Sequence, residues 1–133
     1  MGEQTNRPIR ILLIDDEADF TQPMSFWLRS KGYSVDVASN GQDALKLIKE
    51  SCPDIVFLDL NMPVMDGVQT LKKIRGIMPE LPVIIVSAYA DDPRMVELAT
   101  YGISGVFHKK GEDFQGSLTL LESALRRHRS LRK

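Results

Sequence analysis

The chain has 133 residues, of which 43% are hydrophobic and 26% are charged, values ordinary for one globular domain with a core of its own. A formal net charge of −1 gives no overall field that would steer it to nucleic acid, and no apolar run approaches the roughly 18 residues that cross a membrane. Cys52 is the single cysteine, which excludes an intrachain disulfide and fits a cytoplasmic location.

Short apolar runs alternate with helical patterns along the chain, which favours βαβ units and a parallel sheet. Strands are predicted at 9–14, 33–38, 55–58, 83–86 and 106–108. The first, third and fourth runs are continuously apolar, as strands covered on both faces should be. The second alternates Val35 and Val37 with Ser34 and Asp36, which indicates an edge strand with one face in water.

Helices are predicted between these strands and after the last one, with limits set by capping residues. The first should run from about Asp19 to Lys31, before Gly32, with Pro23 near its first turn. The remaining starts are expected at Asn40, after Asp66, at Asp92 as N-cap with Pro93 as the first helical residue, and near Asp113; the fourth helix should close at Gly102.

Five βα units of this length predict an α/β fold with a doubly wound parallel sheet of order 2-1-3-4-5, a flavodoxin-like three-layer sandwich. We expect one domain over residues 1–133, with its core at about 8–128 and a basic helix end at 126–133. In such sheets, ligands bind at the carboxyl ends of the strands, at the point where the strand order reverses.

Polar side chains follow four of the predicted strands, and these are Asp15, Asp16, Asp59, Ser87 and Lys109. Clustered carboxylates repel one another and usually need a cation. An oxygen-rich site open to water suits Mg²⁺, which keeps several of its waters. Lys109 could pair with an incoming anion, and Ser87 could donate a hydrogen bond to it. The pattern predicts a site for Mg²⁺ and an anion at one edge of the sheet.

The order and spacing of these residues resemble the receiver domain of bacterial two-component response regulators, across roughly residues 8–128. The matching segments are Asp15-Asp16-Glu17, the stretch DLNMPVMDG at 59–67, Ser87-Ala88-Tyr89 and Lys109. The stretch after the third strand is the most specific of them.

The resemblance implies a role for each matching residue. Asp59 would be the phosphoacceptor and also a metal ligand, with Asp16 as a direct Mg²⁺ ligand and Asp15 acting through a water. Asn61 would offer its backbone carbonyl to the metal. Ser87 would donate a hydrogen bond to a phosphoryl oxygen, and Lys109 would pair first with Asp59 and then with the phosphoryl group.

The resemblance also implies a phosphorylation-controlled signalling switch rather than a metabolic enzyme. A histidine kinase or phosphotransfer protein would supply the phosphoryl group, and the surface of the fourth helix, fifth strand and fifth helix would change in response. That surface could also form a homodimer, and an output protein or a domain beyond residue 133 could read it. The basic segment 126–133 fits a helix end that favours positive charge better than a nucleic-acid contact.

Three other functions were weighed against this one. A scaffold that is never phosphorylated would be expected to lack one of the acids, and all are present here. A phosphatase acting through an aspartyl phosphate would want a second acid at the position of Asn61. A flavin-binding protein would place its phosphate against Asp15 and Asp16, which would repel it.

Two positions depart from the family pattern. Lys110 stands where proline is usual, and Val106 stands where an aromatic switch residue is usual. Phe107 is adjacent but should point to the opposite face, since strand side chains alternate. We therefore expect a reduced response at the fifth strand, with the readout resting more on the fourth helix and its preceding loop. The cavity that an aromatic ring would fill should be small, or be occupied by a nearby side chain such as Tyr89 or Tyr101.

Overall fold

The structure is a computed structural model that describes residues 7–62, 64–88, 91–109 and 113–131, with side chains described as far as residue 127. Its elements in chain order are β1 (Arg10–Ile14), α1 (Ala18–Ser30), β2 (Ser34–Ala38), α2 (Gly41–Glu50), β3 (Ile55–Asp59), α3 (Gly67–Ile77), β4 (Val83–Ser87), α4 (Met95–Thr100), β5 (Gly105–His108) and α5 (Phe114–Leu131). The expectations for Tyr89, for Lys110 and for the side chains of the basic end beyond residue 127 fall outside what the structure describes.

The five strands form one parallel sheet in the order β2-β1-β3-β4-β5, which confirms the predicted fold class. In its register, Asp59 of β3 pairs with Val86 of β4, and Ser87 pairs with His108 of β5. The carboxyl ends of neighbouring strands therefore lie at the same edge. The order reverses between β1 and β3, and the open crevice of a doubly wound fold is expected there.

Two apolar layers cover the sheet, because successive residues of each buried strand point to opposite faces. Leu12 and Ile14 pack on the side of α2, α3 and α4, whereas Ile11 and Leu13 pack on the side of α1 and α5. All four side chains are almost fully buried, and burying each contributes roughly 1.5–3 kcal/mol. The three-layer sandwich thus holds the strand ends on a rigid base.

β2 is the edge strand that its alternating sequence predicted, but the face that should be covered is exposed at the carboxyl end of the strand. Val35 is buried and Asp36 is exposed, but Val37 is 41% exposed. Val37 and Phe26 line a groove beside α1, so the helix does not cover the carboxyl end of β2.

Capping explains where α1, α2 and α3 begin or end. Asn40 accepts a hydrogen bond from the Asp43 N–H (2.8 Å), and Asp66 forms a capping box with Gln69 at the start of α3. Gly32 has φ +98° just after α1, a conformation that glycine adopts without strain. α1 begins one residue earlier than expected, so Pro23 lies inside the helix and not in its first turn.

The predicted start of α4 was wrong by two residues, since the helix begins at Met95 and not at Pro93. The Asp92 carboxylate accepts a hydrogen bond from the Arg94 N–H (3.0 Å), and the Met95 N–H donates to the Asp92 carbonyl (3.1 Å). These bonds close a turn over 92–94, and α4 is only six residues long as a result.

Candidate functional site at the carboxyl edge of the sheet

Three carboxylates meet where β1 and β3 end. Asp15 follows β1, and its N–H donates to the Ala38 carbonyl of β2 (3.0 Å), which fixes its backbone. Asp59 is the last residue of β3. Asp15 and Asp59 are 3% and 2% exposed, whereas Asp16 is open to solvent. One ligand oxygen from each of the three carboxylates lies within 4.8 Å of the others, so the structure brings these predicted metal ligands together.

The negative charge of the buried carboxylates in this cluster is only partly balanced. Burial raises the pKa of Asp59 from 3.8 to about 7, and the neighbouring Asp15 charge adds to the effect against the opposing Lys109 ammonium. Burial also raises the pKa of Asp15, again against Lys109. One ammonium does not offset two buried carboxylates. A divalent cation would relieve the remaining repulsion.

The donor set fits Mg²⁺ on chemical grounds. Three carboxylates around one point supply hard oxygen ligands, and the exposed position of Asp16 leaves room for the waters that Mg²⁺ retains. Asn61 lies next to them in an exposed loop, and its backbone lowers the pKa of Asp59 against the larger effect of burial. The backbone carbonyl of Asn61 is the fourth protein ligand that the resemblance implied.

Lys109 lies over the cluster from the end of β5. Its ammonium is 2.9 Å from Oδ2 of Asp15 and 3.6 Å from Oδ1 of Asp59, and its side chain is 12% exposed. It also forms an ion pair with Glu17 and lies 4.9 Å from the centre of the Phe20 ring. The sequence reasoning placed Glu17 in the acid cluster but assigned it no contact with Lys109.

Ser87 is fully buried at the end of β4. Its carbonyl accepts a hydrogen bond from the Lys109 N–H (2.9 Å), so the ends of β4 and β5 are joined beside the carboxylates. Asp59 pairs with Val86, the residue before Ser87. Ser87 therefore lies one residue further towards the carboxyl edge of the sheet than Asp59.

Gly67 allows the loop after Asp59 to fold back on itself. A Cβ at this position would lie 2.7 Å from both the Asp59 carbonyl oxygen and Leu60 Cα. The Gly67 N–H donates to the Leu60 carbonyl (3.1 Å), which closes the loop at the start of α3. Only glycine fits this close backbone approach without displacing the segment that carries Asp59.

Arg94 also contacts this loop, and the sequence reasoning missed it. Its guanidinium donates to the Leu60 carbonyl (3.1 Å), to Oδ1 of Asn61 (2.7 Å) and to the carboxylate of Asp92. Arg94 and Asn61 are 33 residues apart, and no local pattern joins them. The only hint was the Asp92-Pro93-Arg94 segment, which was interpreted as a helix start.

Val106 and Phe107 point to opposite faces of β5, as their positions predicted. Val106 is partly buried on the side of α3 and α4, where Tyr101 also packs. Phe107 is 1% exposed on the side of α1 and α5, with its ring centre 6.3 Å from that of Phe20. Phe107 therefore does not occupy the position of the usual aromatic switch residue.

The fold and the site together define a class of protein: a doubly wound α/β domain with three carboxylates and a lysine at the carboxyl edge of its sheet. The family model of the response regulator receiver domain matches residues 11–118. The chain therefore belongs to the response regulator receiver domain family, as the resemblance implied. Within the described residues, no helix has the length and apolarity needed to span a membrane.

Curated relatives and solved structures agree with this assignment. The chain is 36% identical over 121 residues to the transcriptional regulatory protein ZraR of Escherichia coli K12, and 38% identical over 93 residues to the regulatory protein AtoC of the same strain. The matches cover 91% and 70% of this chain but only 27% and 20% of those relatives. Thus the chain spans about a quarter of their length or less.

A receiver domain protein from Clostridium thermocellum is similar in structure, with a TM-score of 0.84 at 29% identity, covering 92% of this chain and 98% of that one. NtrX from Brucella abortus has a TM-score of 0.87 at 26% identity, and the match covers 95% of this chain and 28% of NtrX. These similarities extend over nearly the whole chain.

Proposed function

We propose that this chain is a phosphorylation-dependent switch that accepts a phosphoryl group on Asp59 with the help of Mg²⁺. One observation carries the proposal: Asp59 is buried at the strand end, grouped with Asp15 and Asp16 and 3.6 Å from the Lys109 ammonium. A nucleophile, a cation site and a positive charge are thus gathered around one carboxylate, an arrangement that favours phosphoryl transfer and can hold its product.

The transfer needs Asp59 in its ionised form. A carboxylate oxygen of Asp59 attacks the phosphorus atom and forms the new P–O bond of an acyl phosphate. The bond between phosphorus and the leaving group breaks, and its electron pair stays with that group. Because the pKa of Asp59 is about 7 in the metal-free protein, part of the population is protonated at neutral pH. A bound cation favours the ionised form.

Four groups would hold the cation, namely the carboxylates of Asp15, Asp16 and Asp59 and the backbone carbonyl of Asn61. Mg²⁺ bound there supplies charge neutralisation for the phosphoryl oxygens and for the crowded carboxylates. Asp16 would be a direct ligand of the metal, and Asp15 would act through a water. The raised pKa values of Asp15 and Asp59 support this arrangement, because they record the charge that a cation would offset.

Lys109 and Ser87 act on the phosphoryl group once it is attached. The Lys109 ammonium can turn from Asp15 and Glu17 towards a phosphoryl oxygen with little movement, since it is already 3.6 Å from Asp59. Ser87 donates a hydrogen bond from the adjacent strand end. The movement of Lys109 and the new hydrogen bond of Ser87 act on the ends of β5 and β4. These two strand ends are joined by the backbone hydrogen bond between Lys109 and Ser87.

The changed surface is that of α4, β5 and α5, and it is read by an output protein or by an output domain in the same polypeptide. A histidine kinase or phosphotransfer protein is the donor, and a homodimer through this surface is one form of output. The relatives support an output role, since ZraR is named a transcriptional regulatory protein and is much longer than this chain. The domain acts as a signalling module and turns over no metabolite.

The phosphatase alternative finds little support at the site. Asn61, two residues after Asp59, carries an amide whose oxygen accepts a hydrogen bond from Arg94 (2.7 Å), so it offers no acid for leaving-group protonation. The scaffold alternative predicts no modification under any condition. A phosphorylation assay separates it from the proposed switch.

The experiment is incubation with acetyl phosphate, with Mg²⁺ or with EDTA, followed by intact mass measurement. We expect one added phosphoryl group with Mg²⁺ and almost none with EDTA. Asp59→Asn should remain unmodified, whereas Asp54→Asn, a control at the opposite end of β3, should be modified like the parent. A parent protein that stays unmodified would support the scaffold.

A further inference from the structure

Arg94 lies outside the acidic cluster but contacts both the turn before α4 and the loop after β3. Its Nε and Nη2 form a two-pronged contact with the Asp92 carboxylate (2.9 and 2.6 Å). Its Nη1 donates to the Leu60 carbonyl (3.1 Å), and Nη2 also donates to Oδ1 of Asn61 (2.7 Å). The guanidinium therefore joins the start of α4 to the loop after β3.

These contacts fix one peptide plane next to the phosphoacceptor. The carbonyl oxygen of the peptide between Leu60 and Asn61 accepts hydrogen bonds from Arg94 (3.1 Å) and from the Gly67 N–H (3.1 Å). A planar peptide whose carbonyl is held by two donors has little freedom to rotate. The Asn61 side chain is held by the same guanidinium, so the carbonyl that follows in the chain is constrained as well.

Asp92 makes Arg94 a firm anchor. The Asp92 side chain is 6% exposed and that of Arg94 is 31% exposed, so this ion pair is better shielded from water than an ordinary surface pair. Asp92 is itself fixed by the turn that precedes α4, through its hydrogen bond with the Arg94 N–H (3.0 Å). A planar guanidinium suits this arrangement, because its donors diverge in fixed directions.

We propose that Arg94 is a positioning residue for the cation site, and that it links cation binding at Asp59 to the start of α4. It holds the Leu60–Asn61 peptide and the Asn61 side chain, and thereby the residue whose carbonyl would be a metal ligand; Asp92 carries any shift of that peptide to α4. This role rests on the proposed Mg²⁺ site. Through Arg94, a change at the cation site would reach α4 without an aromatic residue at position 106.

Arg75 provides a matched control. It donates to the carbonyls of Tyr101 (2.7 Å) and Gly102 (2.7 Å) at the far end of α4, and to those of Met78 and Leu81. Its removal should loosen α4 and lower stability without touching the loop after Asp59. Arg75→Gln thus separates a general loosening from a loss of positioning.

The test is Mg²⁺ titration by calorimetry, without a phosphodonor, of the parent, Arg94→Gln, Arg94→Lys and Arg75→Gln. Outer contacts that orient metal ligands typically contribute about 10–100-fold to metal affinity, so we expect a loss of about tenfold in Arg94→Gln. Arg94→Lys keeps the charge but cannot reach Asp92, Leu60 and Asn61 together, and should fall close to Arg94→Gln. Arg75→Gln should bind Mg²⁺ as the parent does.

Amide hydrogen exchange supplies a second measurement. Mg²⁺ should protect residues 95–100 in the parent and in Arg75→Gln, and this protection should be lost in Arg94→Gln. Asp92→Asn keeps the volume of the side chain but weakens its contact with Arg94, so it should show the same loss in milder form. It serves as the second variant if Arg94→Gln does not fold.

The outcomes separate this inference from the function on which it rests. Unchanged Mg²⁺ affinity in Arg94→Gln or Arg94→Lys would overturn the positioning role alone, and so would an equal loss in Arg75→Gln. If the parent binds no Mg²⁺, the proposed cation site is overturned and the inference with it. The same holds if the Asp16→Ala variant binds Mg²⁺ as tightly as the parent.

Discussion

Asp59→Asn removes a buried carboxyl group that is costly to ionise, and its effect on stability can be worked out from the structure. Asp59 is 2% exposed, and its pKa rises from 3.8 to about 7 on folding. The folded protein therefore keeps a proton between pH about 4 and about 7 that the unfolded chain has lost, and its stability falls as pH rises through that range. About three pKa units at about 1.4 kcal/mol each amount to about 4 kcal/mol.

Asparagine has nearly the same shape and no charge, so it should not suffer this loss. In EDTA, the free energy of unfolding of Asp59→Asn minus that of the parent should grow from pH 4 to pH 7 by up to about 4 kcal/mol, and then level off. Urea unfolding followed by the fluorescence of Trp27, the single tryptophan, measures it. Glu80→Gln, in an exposed turn outside the acidic cluster, is the control for the loss of one carboxylate.

Saturating Mg²⁺ should narrow the difference at pH 8, because the cation stabilises the parent more than the variant. A difference that stays constant between pH 4 and pH 8 would show that Asp59 carries its charge without cost in the folded protein. The electrostatic argument for a cation site would then lose its basis.

Further predictions concern the loop, the metal and the readout. Gly67→Ala should lower stability by about 1–3 kcal/mol and slow phosphorylation, because its Cβ would meet backbone atoms at 2.7 Å. Gly76→Ala in α3 is its control and should raise stability by about 0.5–1 kcal/mol, since no described heavy atom lies within 4 Å; thermal unfolding tests both. Asp16→Ala should weaken Mg²⁺ binding in calorimetry. Lys109→Ala should still bind Mg²⁺ and accept a phosphoryl group, but it should lose the changes in amide hydrogen exchange that phosphorylation causes in the parent. In the parent those changes should be stronger at 91–102 than at 105–108.

The sheet and the ends of its strands could be predicted because they depend on local patterns. Continuous apolar runs mark strands buried on both faces, and each of these runs ends at a polar residue such as Asp59 or Ser87. Parallel pairing then places those residues at one edge without further information. The grouping of Asp15, Asp16 and Asp59 within 4.8 Å follows from this rule.

Contacts made by long side chains between distant loops could not be predicted in this way. Arg94 reaches Asn61 across 33 residues, and Lys109 reaches Glu17 across 92. No periodicity encodes either pair. Asp92 was interpreted as a helix cap because its sequence fits one, but its carboxylate instead closes a turn and holds Arg94. The start of α4 was misplaced for the same reason.

The most direct test of the central claim is to locate the phosphoryl group chemically. Borohydride reduces an acyl phosphate to the alcohol, which would convert phosphorylated Asp59 into homoserine. After treatment with acetyl phosphate and Mg²⁺, the tryptic peptide over residues 50–72 holds Asp54, Asp59 and Asp66, and fragmentation in a mass spectrometer tells them apart. We predict homoserine at Asp59 alone. Homoserine at Asp54 or Asp66, or a phosphoryl group that survives borohydride on a serine or threonine, would contradict the assignment of Asp59 as the phosphoacceptor.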